Sequence, residues 1–513
     1  MVQVASRGEL HHVPGSWMVA DGGEGLYVHF PPGRVPLEQW RLEISARSRC
    51  FAPYRRGLGH IHVRGFTMIG GASDFPRGFY KEGKSPQVGV MGTRAGHHWV
   101  IEHNVIRYGK SLGLDIGLEG KSDADGLGQP EPDIPEDNGT SGRHIVRHNV
   151  ISDHGAGGIA GLKAYGSVIT DNVIERNNRL GFTAPEIGGI KLHFFGDGLI
   201  ARNLVRDNHC YGVWLDNMYH RARVTRNAIV NNQGSGVFIE LGHGPVLIDH
   251  NVIALTRPLA QQPGDGLYSH DASGVTFAHN LVLFNAHFGL WAHVATDRQP
   301  RRYQDGRRGE RSPAEASGWT VVNNLFIGNT AGALGLPPEA DRAHGNRVDH
   351  NLYAGTYPRS TVETFGAMLG ATTFRLNTNK GRLPGEAVDL NLEAWRQRTG
   401  WDQHSHFLPV LRPQLATGTM RLLLTAGPPL DLEATPVDGT DVDYFGYPLG
   451  THPRVGPFQS LAVEKALRAS AETPDSVAPF VDLGTGHQNH LLLWPLRPSP
   501  PEASSGDAGT QKE

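Results

Sequence analysis

The sequence predicts an all-β chain wound as a right-handed parallel β-helix, a solenoid with an irregular N-terminal segment and a C-terminal extension. Three observations carry this. A motif of the form φ-x-x-N-φ-φ recurs along most of the chain, its asparagines being Asn104, Asn149, Asn172, Asn203, Asn227, Asn251, Asn280, Asn324 and Asn351. A second motif, glycine followed by alternating apolar and variable residues, travels with it. Glycine is abundant, 66 of 513 residues, yet shows no Gly-X-Y period, which points to many tight turns in a folded β-rich protein.

The asparagines recur at about 24 residues where no insertion intervenes, the length of one β-helix coil, whereas helical solenoids have longer units and a 3.6-residue period. Each asparagine is expected at a corner, its amide stacked on those of the coils above and below. The glycine motifs include Gly-Ile-Lys-Leu-His from Gly189, Gly-Val-Trp-Leu-Asp from Gly212, Gly-Val-Phe-Ile-Glu from Gly236, Gly-Leu-Tyr-Ser-His from Gly266 and Gly-Leu-Trp-Ala-His from Gly289. Period-two alternation sends Leu114, Ile116, Ile190, Leu192, Val213, Leu215, Val237, Ile239, Leu267 and Leu290 inward. The intervening residues then form outward columns. One reads Leu162, His193, Asp216, Glu240, His270, His293, and its neighbour reads Ala160, Lys191, Trp214, Phe238, Tyr268, Trp291.

The pattern divides the chain into N-terminal strands and loops at 1–58, coils at 59–356, a C-terminal β extension at 357–497 and a Pro- and Ser-rich tail at 498–513 expected to be disordered. The near-neutral balance, a formal charge of -3, excludes a basic footprint for nucleic acid and a cationic membrane face. Nowhere is there an apolar run long enough to span a bilayer. Residues 1–25 lack the pattern of a signal peptide, so the chain as it stands is expected in the cytoplasm, and in the periplasm or outside the cell if a leader precedes it. Cys50 and Cys210 make at most one bridge.

Asp216 and Glu240 stand 24 residues apart, one unbroken coil, in the same outward column. Carboxyls on neighbouring rungs suit the separation of about 5 to 5.5 Å found in retaining glycosidases, where one attacks the anomeric carbon and the other protonates the leaving oxygen. The plainer alternative is a solvated acidic pair. Glu186, Lys191 and His193 are natural hydroxyl binders, and Lys191 can instead neutralise Asp216. His243 and His270 flank Glu240. Trp214, Tyr268 and Trp291 are placed to stack on sugar faces or to pack beneath a loop. A metal is not expected: the histidines and acids of the column lack a closed zinc spacing, and Asp115, Asp216 and Glu240 lie too far apart along the stack for a calcium cluster. No cofactor is needed.

Three stretches, Gly-Ile-Lys-Leu-His at 189–193, Gly-Val-Trp-Leu-Asp-Asn at 212–217 and Phe-Ile-Glu-Leu-Gly-His-Gly-Pro at 238–245, resemble bacterial right-handed β-helix glycoside hydrolases, nearest the β-xylosidases of glycoside hydrolase family 120. Gly-His-His-Trp-Val-Ile-Glu at 96–102, Leu-Asp-Ile-Gly at 114–117 and Tyr-Ser-His-Asp at 268–271 fit the same group, so the resemblance spans about residues 14–355. It implies Asp216 as nucleophile, Glu240 as acid/base and Glu186 as the acidic sugar-binding residue. Lys191, His193, Trp214, His243, Tyr268, His270 and Asp115 complete the expected substrate-binding set. The implied activity is hydrolysis of xylo-oligosaccharides or related plant glycans, the partner being an oligosaccharide, with self-association left open. Two rivals stand beside it: a polysaccharide lyase or epimerase using Lys191 or a histidine as base, and a non-catalytic glycan-binding β-helix.

Overall fold

A run such as Gly-Ile-Lys-Leu-His has room for one short strand before the next turn, so the chain folds as brief strands joined by corners. The computed structural model describes residues 2–33, 37–39, 43–45, 47–73, 88–118, 141–183, 186–304, 307–337, 345–355, 374–376, 388–408, 411, 413–425, 432–459 and 488–496. The tail expected at 498–513 lies outside the described residues. Two compact units are present, Met1–Ala46 and Arg47–Glu513.

The first unit is a three-stranded sheet. Val2–Gln3 runs parallel to Ser16–Val19, which pairs antiparallel with Leu26–His29. The helix Arg7–His12 is opened by a capping box: Ser6 Oγ accepts from Glu9 N, and the Glu9 carboxylate accepts from Ser6 N.

The second unit is the β-helix. Three sheets are stacked along it, of ten, eleven and eleven described strands, beginning respectively at His62–Arg64, Thr67–Ile69 and Gly89–Gly92, and all are parallel except where Val388–Leu390 ends the third by antiparallel pairing. Every apolar residue expected on the inner face from Leu114 to Leu290 is fully buried. The glycine near the head of Tyr211–Asp216 is explained by close approach: a Cβ on Gly212 would lie 2.4 Å from Gly236 O of the next coil.

The asparagine ladder runs unbroken from Asn104 to Asn351, each side-chain amide donating to the next at 2.9–3.1 Å. The residue before each of these asparagines, from His103 to His350, adopts a left-handed φ of 50–61° that turns the corner. A second ladder lies five residues further on, through Asn177, Asn208 and Asn232 and again from Asn285 to Asn329. Asp402 receives the end of the first ladder. Its buried carboxylate accepts from Asn351 Nδ2, Tyr353 Oη, Trp395 Nε1 and Ser405 Oγ.

Parallel pairing continues beyond residue 356, into Phe374–Leu376 and His406–Leu408. There the helix Leu392–Thr399 closes the core by setting Trp395 against Phe374 at 5.2 Å between ring centres. The C-terminal strands Gln414–Ala416, Arg421–Thr425 and Gln488–Leu492 form an antiparallel sheet. Leu422, Leu424, Tyr444 and Leu491 from this region pack on the outer side chains of the second sheet, among them Ala228, Val252 and Leu281. Cys50 and Cys210 are free thiols, one exposed and one buried.

Candidate active site

The third sheet aligns the expected columns in register. His193 pairs with Asp216, Asp216 with Glu240, Glu240 with His270 and His270 with His293, on the strands Gly188–His193, Tyr211–Asp216, Ser235–Gly242, Asp265–Ala272 and Phe288–His293. The neighbouring column runs through Lys191, Trp214, Phe238, Tyr268 and Trp291. Adjacent rungs of such a ladder are about 4.8 Å apart.

Five of the expected residues converge in one network. Lys191 Nζ donates to Asp216 Oδ2 at 2.6 Å and lies 3.6 Å from Glu186 Oε2, although Lys191 is only 1% exposed. Trp214 offers its ring face to the same ammonium at 3.2 Å. His193 bridges the two acids, with Nε2 2.5 Å from Glu186 Oε2 and Nδ1 3.4 Å from Asp216 Oδ2. Asn217 Nδ2 donates to the remaining Asp216 oxygen at 2.9 Å. Burial alone would raise the Glu186 carboxyl, but the charges of His193 and Lys191 hold it well below the ordinary carboxylate range. Burial works against a charged His193, and Glu186 overcomes it, raising that imidazole above its ordinary value. Glu186, His193 and Asp216 bring donor atoms within 4.8 Å of one another, but Lys191 already supplies the cation there.

Glu240 belongs to a second network, in which the expected neighbour His270 is joined by Arg298 and Asp271, two residues the sequence did not point to. Its Oε1 accepts from Arg298 Nη2 at 2.8 Å and lies 3.5 Å from His270 Nε2. Arg298 reaches in from the loop after Phe288–His293 and also donates to Asp271 Oδ2 at 3.1 Å. Asp271 is buried, yet bonds from His270 Nδ1 and from the hydroxyl and amide of Thr296 keep its carboxyl well below the ordinary value. Asp271 was visible in the Ser-His-Asp run and Arg298 in an arginine-dense insertion. Neither carried a periodic signal tying it to Glu240.

The aromatic column corrects one expectation. Trp214 is 2% exposed and lies between the Lys191 ammonium and Phe238, whose ring stacks on it at 4.5 Å and 24°. Both its faces are taken, so it cannot stack on a sugar. Ile187, Leu259 and Phe182 complete the apolar cover over Trp214, Phe238 and Tyr268. Tyr268 Oη lies 3.2 Å from His293 Nε2, and His293 is pushed down to about 4, by burial first and by His270 second.

Two expected residues stand apart. His243 turns to Ser273 Oγ at 3.0 Å and Ser312 Oγ at 2.7 Å, tying its strand end to the insertion. Asp115 is buried two coils from Lys191 in the same column, where its Oδ1 accepts from Gly117 N at 2.9 Å.

The family model described as a right handed beta helix region matches residues 88–282. No curated protein matches the chain by sequence. Among solved structures, the chain is similar to XylC in complex with xylose at 19% identity, covering 87% of this chain and 68% of XylC, with a TM-score of 0.58. Weaker similarities are to pectate lyase Pel9A, at 12% identity over 80% of this chain and 86% of that one with a TM-score of 0.38, and to the periplasmic alginate epimerase AlgG, at 15% over 60% and 67% with a TM-score of 0.33. With three stacked parallel sheets and a continuous asparagine ladder, the chain is a right-handed parallel β-helix protein.

Proposed function

We propose that the chain is a retaining exo-glycosidase, with a β-xyloside as its substrate. The observation that carries this reading is the pairing of Asp216 with Glu240 on adjacent strands, each carboxylate gripped by its own cation, Lys191 and Arg298. Asp216 is the nucleophile: Lys191 and Asn217 fix its two oxygens, and the attack forms a glycosyl ester. Glu240 is the acid/base. Arg298 and His270 hold Oε1, which leaves Oε2 to hand a proton to the departing oxygen and then take one from water. Glu186 and His193 bind glycone hydroxyls beside the nucleophile. The xylose held by XylC, a protein of similar fold, is in keeping with a pentoside.

The test separates the two carboxylates by kind. Asp216→Ala should be inert on every glycoside. Glu240→Ala should still react with an aryl glycoside whose leaving group needs little protonation, and azide should restore its turnover by replacing activated water. An inverted anomeric product, or no azide rescue, refutes the assignment. Arg298 also gives the lyase or epimerase reading a specific support, since an arginine beside the column can neutralise a uronate carboxylate. Unsaturated product from a uronate polymer, with no aryl-glycoside turnover, would establish that alternative.

A further inference from the structure

A cluster of three imidazoles lies at a different place, on the corner between the third and first sheets near the start of the stack. His60 precedes His62–Arg64, and His97 and His98 precede Val100–Glu102 one coil later. The His60 and His98 rings are stacked, 5.0 Å between centres and 15° between planes. His97 stands edge-on to both, at 5.4 Å and 87° from His60 and 5.1 Å and 89° from His98. We propose that His60, His97 and His98 form a binding site for a divalent transition-metal ion of the zinc, cobalt or nickel class.

Three features favour it. One nitrogen from each ring falls within 4.8 Å of the others, and His97 Nδ1 and His98 Nδ1 are already 2.9 Å apart. Metal–nitrogen bonds are about 2.0–2.1 Å, so rotation of the exposed His60 and His98 side chains closes the set around an ion. The backbone beneath is fixed: His60 N donates to His97 O at 3.1 Å and His98 N to Gly142 O at 2.9 Å. His97 lies over Gly59, where a Cβ would come within 2.0 Å of its ring, so the absence of a side chain at position 59 is what lets the third imidazole turn toward the other two. Three imidazoles with an open outer face are a donor set for a borderline-soft ion and a poor one for calcium or magnesium.

The surrounding charges are His144 and Arg143. His144 is buried and pushed down to about 3 by burial first, then by His97 and His98, so it is neutral. Arg143, on the next coil beside His98, is the one charge there that opposes a bound cation among the described residues. Stacked histidines recur elsewhere, and one such pair, His350 and His404, has Asp349 within ligand reach. His350 and His404 stack at 5.1 Å, but Asp349 between them spends both oxygens on His404 Nδ1 and on the amides of His350 and His404. His103 and His148 stack as a pair, with no third ring in the group among the described residues.

The experiment is calorimetric titration of the metal-stripped full chain with Zn2+, alongside the visible absorption of added Co2+, which reports nitrogen ligation directly. The variants are the double substitution His60→Ala with His98→Ala, and His404→Ala as a control. One equivalent bound by the wild type, weakened about tenfold or more in the double variant and unchanged in His404→Ala, is the expected result. Both substituted side chains are solvent-exposed, and an unchanged melting temperature without metal verifies the fold. Absence of binding by the wild type, or equal binding by the double variant, overturns the proposal. Neither result bears on the carboxylate pair.

Discussion

Lys191 Nζ lies 2.6 Å from Asp216 Oδ2 with almost none of its side chain in water, so a buried ammonium and a buried carboxylate depend on one another. Removing one partner of such a pair strands the other. Lys191→Met should therefore cost about 3–5 kcal/mol of unfolding free energy and, on the proposed role of Asp216 as nucleophile, reduce turnover far more than it changes KM, because that carboxylate loses the group that holds it. Denaturant titration and steady-state kinetics measure the two effects. A variant with native stability would show that the pair is not the buried unit described.

Arg298 should act through Glu240. Arg298→Ala is expected to lower kcat/KM about tenfold on glycosides with poor leaving groups and to spare those whose leaving group departs unprotonated. The slope of log kcat/KM against leaving-group basicity is the readout. An equal loss across the whole series would instead mark Arg298 as a general contributor to binding.

The Glu186–His193 pair gives stability a pH dependence. Glu186 sits below its ordinary 4.5, so its contribution is in force above pH 4.5 and fades as the pH falls toward its folded value. His193 sits above its ordinary 6.5, so its contribution is in force below pH 6.5 and fades as the pH rises through its folded value. The two coincide between pH 4.5 and 6.5. The melting-temperature loss caused by Glu186→Gln should be largest in that window. It should shrink at higher pH without vanishing, since Lys191 also contacts Glu186. A loss constant from the window up to alkaline pH would contradict the pairing.

Asn227 lies mid-ladder. Its amide donates to Ile200 O and Asn251 Oδ1, and its Oδ1 accepts from Asn203 N and Nδ2. Asn227→Ala leaves several buried partners unsatisfied at about 1–3 kcal/mol each, whereas Asn104→Ala, at the ladder's first rung, disturbs fewer. Differential scanning calorimetry should rank Asn227→Ala as the more damaging.

The columns were legible because parallel in-register pairing carries equal positions to equal places, so Asp216, Glu240, His270 and His293 could be aligned by counting from the preceding glycine. The first asparagine ladder was legible for the same reason. The second was not: His154 and Thr256 interrupt it, and runs such as Asn177-Asn178 obscure which amide faces inward. What covers the columns was beyond reach. Ile187, Leu259 and Arg298 arrive on connections of unequal length that share no period. The burial of Trp214 and the grip on Glu240 depend on where those connections cross, and nothing in the repeat specifies that.

The ladder spacing also acts as a ruler. The step from Asp216 to Glu240 is set by main-chain pairing between Tyr211–Asp216 and Ser235–Gly242, not by how neighbouring side chains happen to fit. Exchanging side chains along the column alters what each rung presents while leaving its height unchanged. Inserting residues at a corner lengthens a loop without moving the rung. A chain built this way can remodel the entrance to its outer face freely, but the interval between two functional groups changes only in whole coils.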